Sequence, residues 1–145
     1  MQPYPHTYVV EASARTAGDV TVSSGQLPDL ATAPPAEFGG PGDRWSPETL
    51  LCASVANCFI LTFRAYARAS KLDWQSLKCR TQAVLENVDG VPQFTRFVTY
   101  ATLEVPAGTD AAKARALLQK AEDRCLVTNS LKGERHLDSA VETAA

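Results

Sequence analysis

The chain has 145 residues, of which 45% are hydrophobic and 21% are charged, and its formal net charge is -2 at pH 7. This composition is typical of one soluble domain that can bury its own core without disulfides or a structural metal. The slightly acidic balance, with basic residues scattered along the chain, argues against nucleic acid and against a membrane surface as partners.

The N-terminal sequence MQPYPHTYVV has no basic segment followed by an apolar one, so we predict no signal peptide and expect a cytoplasmic protein. The longest uncharged apolar run, residues 49–63, is 15 residues long, which is too short to span a bilayer. Cysteines in a reducing compartment are thiols, metal ligands or catalysts. There is no CxxC pair, and the two histidines lie near opposite ends of the chain, so we predict no metal site and no cofactor.

The first third of the chain predicts two strands and a long loop. Residues 4–12 are rich in β-branched and aromatic side chains and predict a first strand, and residues 19–24 predict a second strand after a turn. Residues 25–46 contain four prolines and four glycines, which predicts a crossing loop. A loop of this length is usually functional or packs on another element.

A long helix is predicted to begin at Ser46 and to run to about Ser70. Ser46 is a suitable N-cap, Pro47 fits the first helical position, and Glu48 complements the helix dipole. Apolar side chains occupy nearly every face of the first four turns, which predicts burial on all sides. A domain of this size has difficulty covering such a helix alone, so we expect a partner subunit to contribute.

The second half of the chain predicts a hairpin, a helix and a last strand. Alternating residues from 76 onward, an Asp-Gly turn at 89–90 and a return strand over 94–105 form the hairpin. Thr109 is the predicted N-cap of a helix with a buried stripe that contains Ala111, Ala114, Leu118, Ala121 and Cys125. A short turn or helix then stops at Gly133, and residues 136–143 form the last strand. This order of elements predicts one α+β domain over residues 1–145.

Cys58 and Cys125 are the candidate reactive pair, because both are predicted to face inward on elements that pack together. Two cysteines can form a disulfide when their Cα atoms lie within about 7 Å of each other. Cys52 lies six positions from Cys58 on the same helix and cannot bond it, and Cys79 has no evident partner. Buried cysteines are more often small hydrophobic side chains than reactive thiols, and this interpretation remains open for all four.

A nucleophilic Cys58 needs a nearby cation, because the thiolate is the reactive form and apolar surroundings disfavour it. Arg15 and Arg44 are the candidates with the freest geometry, whereas Arg64 lies on another face of the same helix. A carboxylate should hold the planar guanidinium, and Glu48 is the candidate. Ten helical residues place Glu48 about 15 Å from Cys58, so either the helix bends or Glu48 serves the site of the opposite subunit.

Two segments resemble the superfamily of osmotically inducible protein C and organic hydroperoxide resistance protein (OsmC/Ohr). The segment GGPGDRWSPETLLCASVANCF resembles the family's Gly-rich loop, its Pro-Glu helix start and its peroxidatic cysteine ten residues after the glutamate. The segment AEDRCLVTNSLKG resembles the surroundings of the resolving cysteine. Departures from the common pattern are Leu126, where members often have proline, Asn57 before the first cysteine, and the extra thiol of Cys52.

The resemblance implies an OsmC-like fold with antiparallel sheets packed on a long buried central helix, in an intertwined homodimer with a site at the subunit interface. It implies a thiol peroxidase that reduces organic hydroperoxides. Cys58 would be the peroxidatic cysteine and Cys125 the resolving cysteine. Glu48 would be the carboxylate partner of Arg15, which matches the family's arginine, with Arg44 as the alternative. The implied reductant is a dithiol, carried by a lipoyl-bearing protein.

The sequence is also compatible with two other functions. One is a non-enzymatic module of the same fold that binds a small apolar ligand and has inert thiols. The other is a dimer with a redox-sensing disulfide. The apolar side chains near the helix and the loop would either line a substrate pocket or belong to the core, and they are Leu51, Val55, Phe59 and Phe38.

Overall fold

Three short strands and the start of a long helix make up residues 1–51, the first of two units in the computed structural model, which describes all 145 residues. The strands are β1 (Glu11–Ser13), β2 (Val20–Ser23) and β3 (Leu30–Thr32). They form an antiparallel sheet in the order β1-β2-β3. A single 3₁₀ turn, Ala36–Phe38, follows the sheet.

The predicted first strand over residues 4–12 is wrong over most of its length. Glu11 pairs with Ser23, the last residue of β2, and the chain then turns at Ser24, whose carbonyl accepts the N–H of Leu27 at 3.0 Å. No strand therefore continues opposite residues 4–10. The predicted loop over residues 25–46 is also incomplete, because it contains β3 and the 3₁₀ turn between its prolines.

The long helix α1 spans Pro47–Ala69, as predicted. Its N-cap is Ser46, whose Oγ accepts the backbone N–H of Thr49 at 3.1 Å. The helix begins in the first unit, and its residues from Cys52 onward belong to the second unit, residues 52–145. Two residues after its end, Lys71 has a φ of 53°, which is incompatible with a continuing right-handed helix.

Within one chain, α1 is buried along one stripe rather than on every side. The buried residues are Val55, Phe59, Phe63 and Ala67, whereas Leu61 on another face is 51% exposed. By length and hydropathy alone, the 23 residues of α1 could cross a membrane. The prediction from the sequence differs because it considered only the uncharged run over residues 49–63, which is too short to do so. Core helices pass the same test, and the buried stripe of α1 contributes to a core shared with the rest of the second unit.

The predicted hairpin is confirmed as β4 (Ser76–Val88) and β5 (Val91–Val105), which pair antiparallel. Asp89 and Gly90 form the turn, both with positive φ. The N–H of Gly90 donates to Oδ1 of Asn87 at 2.8 Å and fixes the turn. This hairpin supplies two of the three strands of the second sheet.

The third strand, β6 (Glu134–Thr143), runs parallel to β5, so the expectation of purely antiparallel sheets is wrong. The chain leaves β5, passes through α2 (Ala111–Arg124) and α3 (Leu126–Asn129), and returns to the end of the sheet at which β5 begins. A helical crossover of this kind connects parallel strands, whereas a tight turn connects antiparallel ones.

The second helix begins one residue later than predicted. Its N-cap is Asp110, whose Oδ1 accepts the N–H of Lys113 at 3.1 Å. The hydroxyl of Thr109 instead donates to the carbonyl of Pro106 at 2.7 Å.

One hydrophobic core joins α1, α2 and the second sheet. Phe59 and Phe63 come from α1 and Leu118 from α2, and all three are fully buried. The sheet contributes Ala101, Leu103 and Val105. Cys58 directly precedes a core residue of α1, and Cys125 follows the last core residue of α2 by four positions. The same core therefore positions both helices that carry these thiols.

A charged pair lies at the edge of this core. Glu122 on α2 is only 4% exposed, and its Oε2 has no hydrogen-bond partner. Its Oε1 lies 3.9 Å from Nε of Arg135 on β6. Burial raises the pKa of Glu122 above the ordinary value, the positive charge of Arg135 opposes this rise, and Asp123 adds to it.

In the wild type, the free energy of unfolding should decrease as pH rises past the pKa of Glu122. We expect Glu122→Gln to abolish this decrease. Because the pKa of Glu122 is raised in the folded state, the folded chain binds the proton more tightly than the unfolded chain. The free energy of unfolding of the wild type should therefore fall as pH rises from the ordinary pKa of 4.5 through the raised one. Urea unfolding across this pH range should show a flatter profile for Glu122→Gln than for the wild type.

The control is Glu142→Gln, which alters an exposed carboxylate on the same strand as Arg135. It should retain the wild-type pH profile. Identical profiles for wild type and Glu122→Gln would contradict the raised pKa of Glu122.

Candidate functional site

Cys58 lies in the middle of α1 with its side chain partly exposed. Its Sγ is 3.9 Å from Oγ1 of Thr62, one turn further along the helix. The thiol borders an open pocket of about 520 Å³ within the second unit. The lining is largely apolar and includes Leu61, Tyr66, Leu126 and Val127. A reagent in solution can thus approach this sulfur along an apolar surface.

Cys125 is fully buried at the junction between α2 and α3. The hydroxyl of Thr128, itself 3% exposed, donates to its Sγ at 3.2 Å. The side chains of Cys125 and Cys58 lie within electrostatic range of each other, and both are free thiols. The structure therefore brings together the two cysteines that the sequence singled out, from elements more than 60 residues apart.

The surroundings of Cys125 favour its protonated form. Burial raises the pKa of this thiol, and the neighbouring Cys58 raises it further. The side chain and backbone of Thr128 act in the opposite direction, because both form hydrogen bonds to the sulfur. Since the ordinary pKa is already 9.0 and the net shift is upward, Cys125 is a neutral thiol at neutral pH.

The other two cysteines are also thiols inside the second unit. Cys52 lies on α1, and burial raises its pKa, while the nearby backbone of Ala83 on β4 opposes this rise. Burial raises the pKa of Cys79 to about 11; the nearby Thr81 side chain opposes this rise, while Glu122 and Cys125 add to it. Neither thiol is in the form that attacks an electrophile at neutral pH.

The sequence does not predict the neighbours of Cys125. Cys79 has no evident partner in the sequence, although the structure places this thiol within electrostatic range of Cys125 and Glu122.

Arg135 is also absent from the residues that the sequence predicts for the site. It shares the inward face of β6 with Leu137 and Val141. A signal was present, since Glu122 follows Leu118 by four positions, on the buried side of α2. A charge on an otherwise apolar face predicts a buried partner.

The predicted cations and carboxylate all belong to the first unit, whereas the thiols belong to the second. Arg15 lies exposed in the turn between β1 and β2 and forms no ion pair within the chain. Arg44 donates from Nε to Asp19 at 3.1 Å and lies 3.4 Å from Asp43. Glu48 lies in the first turn of α1, and its buried Oε2 has no hydrogen-bond partner.

None of the four apolar residues proposed as a pocket lining borders the pocket at Cys58. Val55 and Phe59 face inward on α1 and are almost completely buried. Phe38 is 61% exposed in the first unit, and Leu51 is partly buried. The lining comes instead from the opposite side of α1 and from α3, because the inward side of the helix is occupied by the core.

Comparison with known proteins is consistent between sequence and structure. A family model described as OsmC-like protein matches residues 40–139. The chain is 26% identical over 127 residues to the uncharacterized protein YmaD of Bacillus subtilis, covering 84% of each protein. It is 32% identical over 116 residues to an organic hydroperoxide resistance protein of Xanthomonas axonopodis pv. citri, covering 77% of this chain and 78% of that protein.

Solved structures give the same result for the fold. An OsmC-like protein of unknown function from Vibrio cholerae superposes with a TM-score of 0.85 at 14% identity, over 94% of this chain and all of the other. An organic hydroperoxide resistance protein OsmC from Legionella pneumophila superposes with a TM-score of 0.75 at 26% identity, over 97% and 99%. The α+β architecture described above is thus the OsmC-like fold, and the chain belongs to the OsmC-like protein family.

Proposed function

We propose that this protein is a thiol-dependent peroxidase that reduces organic hydroperoxides to alcohols. The observation that carries the proposal is the proximity of a pocket-lining thiol, Cys58, and a fully buried thiol, Cys125, which lie within electrostatic range of each other. Its membership of the OsmC-like family, with relatives named as organic hydroperoxide resistance proteins, supports the same reaction class.

In the first step, the thiolate of Cys58 attacks the distal oxygen of ROOH. An S–O bond forms with the sulfur lone pair, the O–O bond breaks, and the alkoxide leaves and takes up a proton to become an alcohol. Cys58 is oxidised to a sulfenic acid, and the peroxide is reduced. The apolar side chains of Leu61, Leu126 and Val127 suit the alkyl or aryl group of an organic hydroperoxide better than hydrogen peroxide.

In the second step, the sulfur of Cys125 attacks the sulfur of Cys58. The S–S bond forms while hydroxide leaves, and the proton of Cys125 leaves with it as water. The proximity of the two side chains supports this step, because the two thiols already interact before attack. The disulfide protects Cys58 from further oxidation to sulfinic acid. A dithiol then returns two electrons by thiol exchange, and we propose a lipoyl-bearing protein as this donor.

The cation that stabilises the Cys58 thiolate is proposed to be Arg15. Arg44 is already bound to Asp19 and Asp43, whereas Arg15 has no carboxylate partner within the chain. Glu48 is proposed to hold the guanidinium, and its buried oxygen without a hydrogen-bond partner supports this role. A planar guanidinium can satisfy such an oxygen while its other N–H groups face the peroxide.

The functional form is proposed to be an intertwined homodimer with the site at the subunit interface, where Glu48 of one subunit serves the thiols of the other. In the second unit, α1 exposes the apolar side chain of Leu61 beside the pocket. In the first unit, Tyr8, Val9 and Val10 are each more than 60% exposed. Apolar surface of this kind is typical of a protein that buries it against a second copy.

The peroxidase proposal predicts different defects for the two cysteines. With cumene or tert-butyl hydroperoxide and dihydrolipoamide, Cys58→Ser should abolish peroxide consumption, because the attacking sulfur is lost. In Cys125→Ser, Cys58 should reduce one equivalent of hydroperoxide and become a sulfenic acid, which is then oxidised further to sulfinic acid because no resolving thiol is present; mass spectrometry detects the product. Cys52→Ser is the matched control on the same helix and should retain wild-type turnover.

Two outcomes would contradict the peroxidase proposal. Wild-type protein that consumes no organic hydroperoxide, with a Cys58 unreactive toward alkylating agents at neutral pH, would favour the binding module for a small apolar ligand. Reversible formation of the Cys58–Cys125 disulfide without catalytic turnover would favour the redox sensor.

The choice of cation predicts that Arg15→Ala slows the reaction of Cys58 with cumene hydroperoxide about tenfold or more, because a charge-assisted contact to the thiolate is lost. Arg44→Ala should retain the wild-type rate. Stopped-flow measurement of a single oxidation of Cys58 compares the two variants. The reverse result would assign the role to Arg44.

The proposed dimer predicts that Leu61→Arg converts the protein to a monomer, because a charge replaces an apolar side chain in the contact. Arg64→Ala, an exposed change one turn away on α1, is the control and should leave the dimer intact. Analytical ultracentrifugation measures both masses. A wild-type protein that sediments as a monomer at micromolar concentration would overturn the dimer.

A further inference from the structure

Arg135 binds both sides of the turn that carries Cys125. Its Nη2 donates to the backbone carbonyl of Glu122 at 3.1 Å, and its Nη1 donates to Oδ1 of Asn129 at 2.6 Å. Its Nε lies 3.9 Å from the carboxylate of Glu122. One guanidinium thus contacts residues three positions before and four positions after the buried thiol.

The same two residues are the backbone partners of Cys125. The N–H of Cys125 donates to the carbonyl of Glu122 at 3.3 Å, and the carbonyl of Cys125 accepts the N–H of Asn129 at 2.9 Å. The side-chain amide of Asn129 also donates to the carbonyl of Asp123 at 3.5 Å. Arg135 therefore holds, from β6, the groups that fix the peptide of Cys125 on both sides.

We propose that Arg135 is a positioning residue that holds the Cys125 thiol near Cys58 and thereby favours formation of the disulfide between them. Its place in peroxide turnover rests on the proposed function, whereas its effect on thiol pairing does not.

The physical need for such a residue lies in the junction itself. The last turn of α2 leaves backbone carbonyls without helical partners, and α3 has only four residues. A helix of that length has little stability of its own. A cation at the end of α2 binds these carbonyls and complements the helix dipole. Without it, the junction would adopt more conformations, and the narrow geometry required for a disulfide would be populated less often.

The test measures thiol pairing directly. Wild type, Arg135→Met, Arg135→Lys and Arg124→Met are equilibrated in glutathione redox buffers, and peptide mapping gives the fraction of Cys58–Cys125 disulfide. Methionine keeps the length of the side chain without donors, so Arg135→Met should lower the effective concentration of the two thiols about tenfold. Lysine keeps the charge but cannot span both acceptors, so its decrease should be smaller. Arg124 is exposed and adjacent to Cys125, and its variant should match wild type.

A second measurement separates positioning from general destabilisation. Arg135→Met should retain the wild-type rate of Cys58 alkylation and of its first oxidation by cumene hydroperoxide, while the sulfenic acid persists and more sulfinic acid accumulates. Asn129→Ala removes one of the two anchors at an exposed site, so it should shift the glutathione equilibrium in the same direction if Arg135→Met does not fold.

Wild-type disulfide equilibria in folded Arg135→Met, or in Asn129→Ala where Arg135→Met does not fold, would overturn the positioning role. The peroxidase would be rejected, and the positioning role supported, if the variants form a smaller fraction of the Cys58–Cys125 disulfide than the wild type while the wild type consumes no hydroperoxide. The two proposals therefore fail on different measurements.

Discussion

The hydrophobic core of the second unit determines where the two sulfur atoms lie. Phe59 and Phe63 of α1 and Leu118 of α2 are fully buried in one cluster with the strands of the second sheet. Such interiors are close-packed, so a helix cannot slide or rotate without opening a cavity or creating a clash. Cys58 and Cys125 are attached to these helices beside core positions, and their proximity follows from the packing. Any chemistry between them depends on that core.

The two thiols lie within electrostatic range of each other but have different surroundings. Cys58 borders an open apolar pocket, whereas Cys125 is fully buried and keeps its proton at neutral pH. In the proposed reaction, Cys58 is the attacking thiol and Cys125 the resolving thiol, because the substrate reaches only the pocket that Cys58 borders. The hydrogen bond from Thr128 partly offsets the burial of Cys125 and is available to stabilise negative charge on its sulfur as the proton leaves.

Sequence reasoning succeeded where one strong local signal matched the tertiary structure. The helix over Pro47–Ala69 has a cap, a proline at its first position and a long apolar run, and the hairpin has an Asp-Gly turn between alternating segments. It failed where non-local pairing decides the structure. Residues 4–10 have strand-like side chains but no strand opposite them, and β3 is a strand because β2 lies beside it. The parallel direction of β6 follows from the crossover and cannot be read from its residues.

The missed charged residues have the same explanation. A helical stripe predicts that Cys125 faces inward, but it cannot predict that Arg135, ten residues later on a strand, reaches back to Glu122 and Asn129. Apolar packing fixes the helices as bodies, yet it is non-directional and does not orient the peptide at a junction between two of them. Hydrogen bonds from a planar guanidinium are directional, and their length and angle tolerances are narrow. A buried thiol at the end of a helix therefore needs both apolar packing and directional hydrogen bonds. The core supplies the packing, and the partly buried guanidinium of Arg135 supplies the hydrogen bonds.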